Sequence, residues 1–228
     1  MSKKITWDEL GEKLFETGCD RGVLYPYDAQ SKKYKSGVAW CGLTAVNESP
    51  SGAEETAIYA DNIKYASLYS NEEFAATIEA YMYPDEWAEC DGSAALDDGI
   101  YAGQQKRTSF GLAYRTLVGN DTELEDYGYK LHLIYGCKAS PSEKSYATVS
   151  DSPEAITLSW EAASTPDAIA TLVDGKKLKP TSVVTIDSKK VSAAFLKKLE
   201  DTLYGTDTTE PTLPSPDEII EMANSVTA

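Results

Sequence analysis

The 228 residues contain 37 Asp and Glu against 21 Lys and Arg, for a formal net charge of −16. Such a surface repels nucleic acid and anionic membranes at long range. With 42% hydrophobic and 25% charged residues, the chain can bury the core of one large β domain or two small ones. No apolar run approaches the roughly 20 residues of a membrane span, so no membrane anchor is expected. Nothing reads as a signal peptide, because Asp8, Glu9 and Glu12 stand where an apolar stretch would be needed.

In chain order, Val38–Val46 reads as a strand with Val38, Trp40 and Gly42 on one face. Asn47–Glu55 collects Asn, Ser, Pro and Gly and is expected to be a loop. Ile58–Tyr69 returns to strand-like content. In Glu73–Tyr83, Phe74, Ala76, Ile78, Ala80 and Met82 alternate with Glu73, Ala75, Thr77, Glu79 and Tyr81, a period of two that points to a strand despite the helix-favouring Glu and Ala. Pro84–Cys90 reads as one helical turn closed by Asp91-Gly92. Phe110–Val118 and Tyr129–Cys137 alternate clearly, and the acidic, turn-rich Gly119–Gly128 between them suggests a long-looped hairpin. Ile156, Leu158 and Trp160 alternate with Thr157, Ser159 and Glu161, and Ser182–Ile186 fits a further strand. Val191, Phe195, Leu199 and Leu203 recur every four residues, with Leu196 widening the stripe and Gly205 as the stop, which predicts a helix over Val191–Tyr204. After a polar connector, Ser215-Pro216-Asp217-Glu218 is a capping box that opens a second helix of about two turns. An isolated helix that short is marginal and needs a surface to dock on. The expected architecture is mainly β, an antiparallel sandwich or barrel with one flanking helix and a short C-terminal helix. Its division is a β domain over residues 1–204 and a linker with a helical arm over residues 205–228.

Groups with chemical potential are present but not in reactive patterns. His132 is the single histidine and is expected opposite the inward Leu131 and Leu133, beside Lys130. Carboxylates cluster at Glu123, Glu125 and Asp126, at Asp85, Glu86 and Glu89, and at Asp97 and Asp98. Sequence proximity does not supply the opposed geometry of a glycoside hydrolase, and the calcium-loop spacing is missing. The glycines form no phosphate-cradling loop. Cys19, Cys41, Cys90 and Cys137 show no metal-clip spacing and are expected to be reduced, mostly buried side chains. The basic knots at Lys32, Lys33 and Lys35, at Lys176, Lys177 and Lys179, and at Lys197 and Lys198 read as solvated faces. Fifteen tyrosines fit strands and protein interfaces. No catalytic residue, metal or cofactor is expected.

Three strings carry a likeness to a known family: GVAWCGLTAVNESPSGAEETAIYADNIKY at Gly37–Tyr65, YMYPDEWAECDG at Tyr81–Gly92, and Gly119–Trp160 with GNDTELEDYGYKLHLIYGCKASPSEKSY and SDSPEAITLSW. Together with TWDELGEKLFETG near the start, they resemble the major tail proteins, or tail tube proteins, of long-tailed bacteriophages and prophages of Gram-positive bacteria. The resemblance implies a β-sandwich flanked by a helix, whose subunits form hexameric rings with one inner barrel. The rings stack into the tube through which DNA leaves the capsid. Implied partners are further copies of the chain, the tail initiator or distal tail, tape measure and tail terminator proteins, and DNA in transient non-specific passage. The implied location is the virion tail, after synthesis in the host cytoplasm.

Long loops and terminal arms join adjacent rings in that family. Here the candidates are the loop residues Asn47, Glu48, Ser51 and Glu54 and the helix residues Ile219, Ile220 and Met222. An anionic lumen would let DNA slide, and Thr77, Glu79, Thr157, Ser159 and Glu161 are candidates to line it. The alternatives are a tube protein of a contractile tail or tail-like bacteriocin, a carbohydrate-binding β-sandwich module, and an acidic glycosidase.

Overall fold

The computed structural model describes residues 4–149, 151, 154–173 and 175–227. Its strands in chain order are β1 (Phe15–Asp28), β2 (Lys33–Tyr34), β3 (Val38–Ala39), β4 (Leu43–Glu48), β5 (Ser51–Gly52), β6 (Glu55–Ala60), β7 (Ile63–Tyr69), β8 (Glu72–Glu73) and β9 (Ala75–Ala80). Helix α1 (Trp87–Cys90) follows, then β10 (Ala94–Asp97), β11 (Ile100–Ala102), β12 (Phe110–Asn120), β13 (Leu124–Ala139) and β14 (Leu158–Ser164). The chain continues through β15 (Leu172–Val173), β16 (Lys176–Lys177) and β17 (Val183–Asp187) to α2 (Ala193–Tyr204) and α3 (Pro216–Thr227).

The main antiparallel sheet runs β2-β1-β12-β13-β14-β9-β4, with β3 beside β1 and β17 beside β13. β13 serves two neighbours on one edge: β17 pairs with Lys130–Ile134, and β14 pairs with Cys137–Ala139. Between them Gly136 has φ +61°, and a Cβ there would lie 2.2 Å from the Thr165 carbonyl oxygen. That bulge moves β13 by one residue relative to its faces. Leu131, Leu133 and Tyr135 point to one core and Cys137 to the other, so the single-face alternation expected through Cys137 is broken at Gly136.

Two cores make three layers. The first lies between β1-β12-β13 and the β4-β9-β14 strands and contains Leu24, Trp40, Ile78, Trp87, Phe110 and Trp160. Trp87 contacts Trp40, Trp160 and Phe110 with ring centroids 4.7, 5.3 and 4.9 Å apart. The second lies on the opposite face of the sheet, where Leu131, Leu133, Tyr135 and Ile186 meet Phe195, Leu199 and Leu203 of α2 and Ile219 of α3. Ser192 caps α2 by accepting from the Phe195 amide, and the buried stripe of α2 is the four-residue repeat seen in the sequence. The sheet is not closed into a barrel: β4 approaches β1, but no ladder joins them among the described residues.

Several expectations change. The Gly119–Gly128 segment is not a long loop, because the ladder of β12 and β13 continues to Asn120↔Leu124 around a tight turn. The Val38–Val46 strand is split at Gly42 (φ +86°). Met82 is exposed, although it continues the inward alternation of Phe74, Ala76, Ile78 and Ala80. Ile156 and Thr157 precede β14 and lie outside it. β1, which pairs with β12, carries no regular alternation: two register shifts between Thr17 and Val23 scramble its period. Among the four free thiols, Cys90 and Cys137 are buried, which pushes each up to about 12, while Cys41 is exposed.

Candidate assembly surfaces

The segment expected to be a loop at Asn47–Glu55 is the inner part of a long β-hairpin. The ladder of β4 with β9 is followed by β5 with β8 and then by β6 with β7. Asn47 and Glu48 therefore lie in a strand, Ser51 begins β5, and Glu54 precedes β6 and donates its amide hydrogen to Ser70 Oγ (2.9 Å). Gly52 is needed at the joint: its φ is +89°, and a Cβ would sit 2.3 Å from the Asn71 carbonyl oxygen. At the tip, Asp61 and Asn62 have φ +50° and +63°, the pattern of a type I′ turn. The sequence did contain this turn signal, as Asp-Asn within Ile58–Tyr69.

β6 and β7 pair only with each other among the described strands. Both hairpin faces carry exposed apolar groups. Ile58 and Leu68 lie on one, Tyr65 and Tyr69 on the other. Glu55 is held by Lys64 and Ser67 across the ladder. The chain before β1 has the same character: Ile5, Trp7, Leu10 and Leu14 are all exposed. That arm is pinned at Gly11, whose amide donates to Asp121 Oδ1 (3.0 Å) and whose carbonyl accepts from Asn120 Nδ2 (3.2 Å). Sequence periodicity could not single out these residues, because nothing distinguishes an unpacked Trp7 from a packed Trp160.

The proposed polar face is brought together by register. In the ladder of β14 with β9, Ser159 faces Glu79 and Glu161 faces Thr77. Asn47 of β4 pairs with Thr77 and donates through Nδ2 to Glu79 (3.3 Å). Ile78, Trp160, Ala76 and Ala162 alternate with them and enter the first core. Thr77, Glu79, Ser159 and Glu161 thus share the outer face of one three-stranded layer, and Thr157 stands exposed just before it.

The C-terminal helix is not a detached arm. Ser215 and Glu218 form the reciprocal capping box: the Ser215 amide donates to Glu218 Oε2 (2.7 Å), and Ser215 Oγ accepts from the Glu218 amide (3.3 Å). Asp217 accepts from the Ala170 and Thr171 amides. Ile219 is buried in the second core and Met222 packs against it, while Ile220 is half-buried. The docking surface that this helix needs is on its own domain, supplied by α2 and the sheet. Through Ile219 and Met222 the segment after Gly205 packs into the second core of the same chain.

His132 lies on the expected side of β13, opposite Leu131 and Leu133 and beside Lys130, but it is not at a solvent-facing position. It is largely buried at the polar end of the first core, stacked on the Tyr114 ring at 4.7 Å. Nε2 is 3.0 Å from Thr116 Oγ1 and 3.6 Å from Glu16, and Nδ1 is 3.7 Å from Glu48. Tyr114 donates to Glu48 (2.6 Å), and Lys130 pairs with Glu16. Burial depresses the imidazole pKa against the pull of Glu48 and Glu16. The row links β1, β4, β12 and β13, with the imidazole between two carboxylates.

Among the described residues no group of three His, Cys, Asp or Glu is placed to hold a metal ion. Among these residues, too, no helix is long and apolar enough to cross a membrane. The chain matches no model of a known protein family and no curated protein.

Proposed function

We propose that this chain is a structural subunit that assembles into stacked hexameric rings, forming the tail tube of a long-tailed phage through which DNA is ejected. The observation that carries the reading is the Leu43–Ala80 hairpin. Its outer half exposes apolar side chains on both faces and, among the described residues, has no partner strand beyond itself. A monomeric protein rarely leaves such a surface uncovered, and a neighbouring ring would cover it. The likeness of Gly37–Tyr65, Tyr81–Gly92 and Gly119–Trp160 to tail tube proteins supports the same reading, since the first string contains most of the hairpin.

In this reading the hairpin reaches the next ring, and the outer face of β4-β9-β14 lines the lumen. Thr77, Glu79, Ser159 and Glu161 would present a wall that resists adhesion to the phosphate backbone. The tail initiator, tape measure and terminator proteins would meet the ends and interior of the tube. Negative-stain electron microscopy of the purified protein over a wide concentration range tests the reading. Rings or tubes are expected, and a strictly monomeric protein absent from virions would overturn it. Within tubes, Glu79→Lys with Glu161→Lys should permit assembly and slow DNA ejection, more strongly at low salt. Tyr65 and Tyr69, exposed on one hairpin face, are what a carbohydrate-binding module would use. Glycan binding by a stable monomer would favour that reading instead.

A further inference from the structure

We propose that the cavity lined by the β1–β2 turn, Asp167 and the cap of α3 is a binding site for a small aminoalkyl phosphate. Its ammonium group would lie against Asp167 and the rings of Tyr27 and Tyr34, and its phosphate at Lys32 and Lys33. The cavity has a volume of about 440 Å³, within the range of small-molecule sites. It shares no residue with the exposed hairpin or the outer polar face. β1 and β2 shape its aromatic part: Tyr27 pairs with Tyr34 across the ladder, and their rings meet edge to face at 5.3 Å.

The carboxylate of Asp167 carries the inference. Its backbone is fixed by reciprocal bonds with Thr181 (2.8 and 2.9 Å). Its side chain, half-buried in the cavity wall, has no hydrogen bond or ion pair among the described residues. The neighbouring hydroxyls bond elsewhere: Tyr34 accepts from the Gly136 amide (2.8 Å), and Tyr135 donates to the Pro214 carbonyl (2.9 Å). Burial without a counter-charge lifts the Asp167 pKa above the ordinary aspartate value. A carboxylate held this way gains most from a cation that donates hydrogen bonds to it. Glu218, the other acid of the cavity, is already engaged by the Ser215 amide and hydroxyl (2.7 and 3.1 Å).

The lining selects the ligand. A divalent metal ion needs several oxygen ligands, and the cavity offers one free carboxylate. An ammonium group needs only one, and the faces of tyrosine rings attract it further. A bare cation would be repelled by Lys32 and Lys33, which are exposed and have no ion-pair partner among the described residues. Those two charges instead balance a phosphate monoester, which carries nearly −2 at neutral pH. They favour a free monoester over the phosphodiester of a lipid headgroup, which carries a single charge. One compound therefore satisfies both ends of the cavity, with its cation at Asp167 and its phosphate at the two lysines.

The test titrates O-phosphoethanolamine into the full chain by calorimetry, with ethanolamine and inorganic phosphate as one-ended controls. The zwitterion should bind at least about tenfold more tightly than either control. Asp167→Asn keeps the side-chain shape and the backbone bonds to Thr181. It should weaken binding at least about tenfold while leaving thermal unfolding unchanged. Lys32→Gln with Lys33→Gln, at exposed positions, should reduce the affinity to that of ethanolamine. No binding of O-phosphoethanolamine, or affinity indifferent to Asp167→Asn, would overturn the site. Tighter binding after the double lysine change would show that a lysine of the cavity is itself the partner of Asp167, and would overturn it too. Sedimentation with phosphatidylethanolamine vesicles without binding of the free compound would overturn the monoester assignment. None of these outcomes depends on assembly, so the tail-tube reading stands or falls separately.

Discussion

The Leu43–Ala80 hairpin and the α2-facing side of the sheet are built from similar residues and end in opposite states. On the sheet, Leu131, Leu133 and Tyr135 are buried under Phe195, Leu199 and Leu203. On the hairpin, Ile58, Tyr65, Leu68 and Tyr69 face outward from a two-stranded ribbon. Both regions satisfy the strand's period of two, and both pair their backbones. The difference is the third dimension: a helix covers one ribbon, and among the described residues nothing covers the other. A two-stranded ribbon is marginal alone in water, so the hairpin's apolar surface is an unused binding resource, whereas that of the sheet has already been spent on the fold.

The largest effect that sharpens this contrast is a truncation inside set against one outside. Trp160 is fully buried among Trp40, Trp87 and Tyr83, so Trp160→Ala should cost about 3–5 kcal/mol of stability by chemical denaturation. Tyr65→Ser on the hairpin should stay within about 0.5 kcal/mol and act on assembly. Equal losses at the two positions would mean that the hairpin is packed after all.

A smaller effect probes the helix that the second core holds. Ser215→Ala removes one half of the capping box and should cost about 0.5–2 kcal/mol, read by denaturant unfolding. Because α3 packs on its own domain, that loss should be visible in the monomer. If Ser215→Ala left monomer stability untouched while impairing assembly, α3 would belong to a neighbouring copy.

The smallest effect is expected at the polar end of the first core, where His132 joins the roots of both exposed regions through Glu16 and Glu48. Its folded pKa lies below the ordinary histidine value because burial disfavours the charged ring. The unfolded chain therefore binds a proton more readily, and stability should fall as pH drops from about 6.5 toward the depressed folded pKa. His132→Gln should flatten unfolding midpoints across that window. A slope unchanged by the substitution would show that other groups carry it.

Legibility follows the range of the interactions. The α2 stripe, the Ser215–Glu218 capping box, the β9 alternation and the strand at β17 were readable because each is set by residues within a few positions of one another. The outer polar face was half readable: parity within β9 and β14 put Thr77 with Glu79 and Ser159 with Glu161. Only the antiparallel register, Ser159 opposite Glu79, made them one surface. β1 was illegible because its two register shifts erase the period that would announce a strand. His132 was assigned to the correct side of β13, but its burial was invisible, since Tyr114 and Glu48 reach it from β12 and β4.

The sequence by itself determined that the chain is a mainly β, acidic protein with an amphipathic helix near its end, because composition, period and caps are local properties. Tertiary structure alone decided which apolar residues are spent and which are left over. Burial depends on whether a second surface arrives, and nothing within a few residues of Trp7, Tyr65 or Ile219 encodes that arrival. For Ile219 the surface came from α2 and the sheet of the same chain. For Trp7 and Tyr65 no such surface is present among the described residues, and these side chains remain exposed.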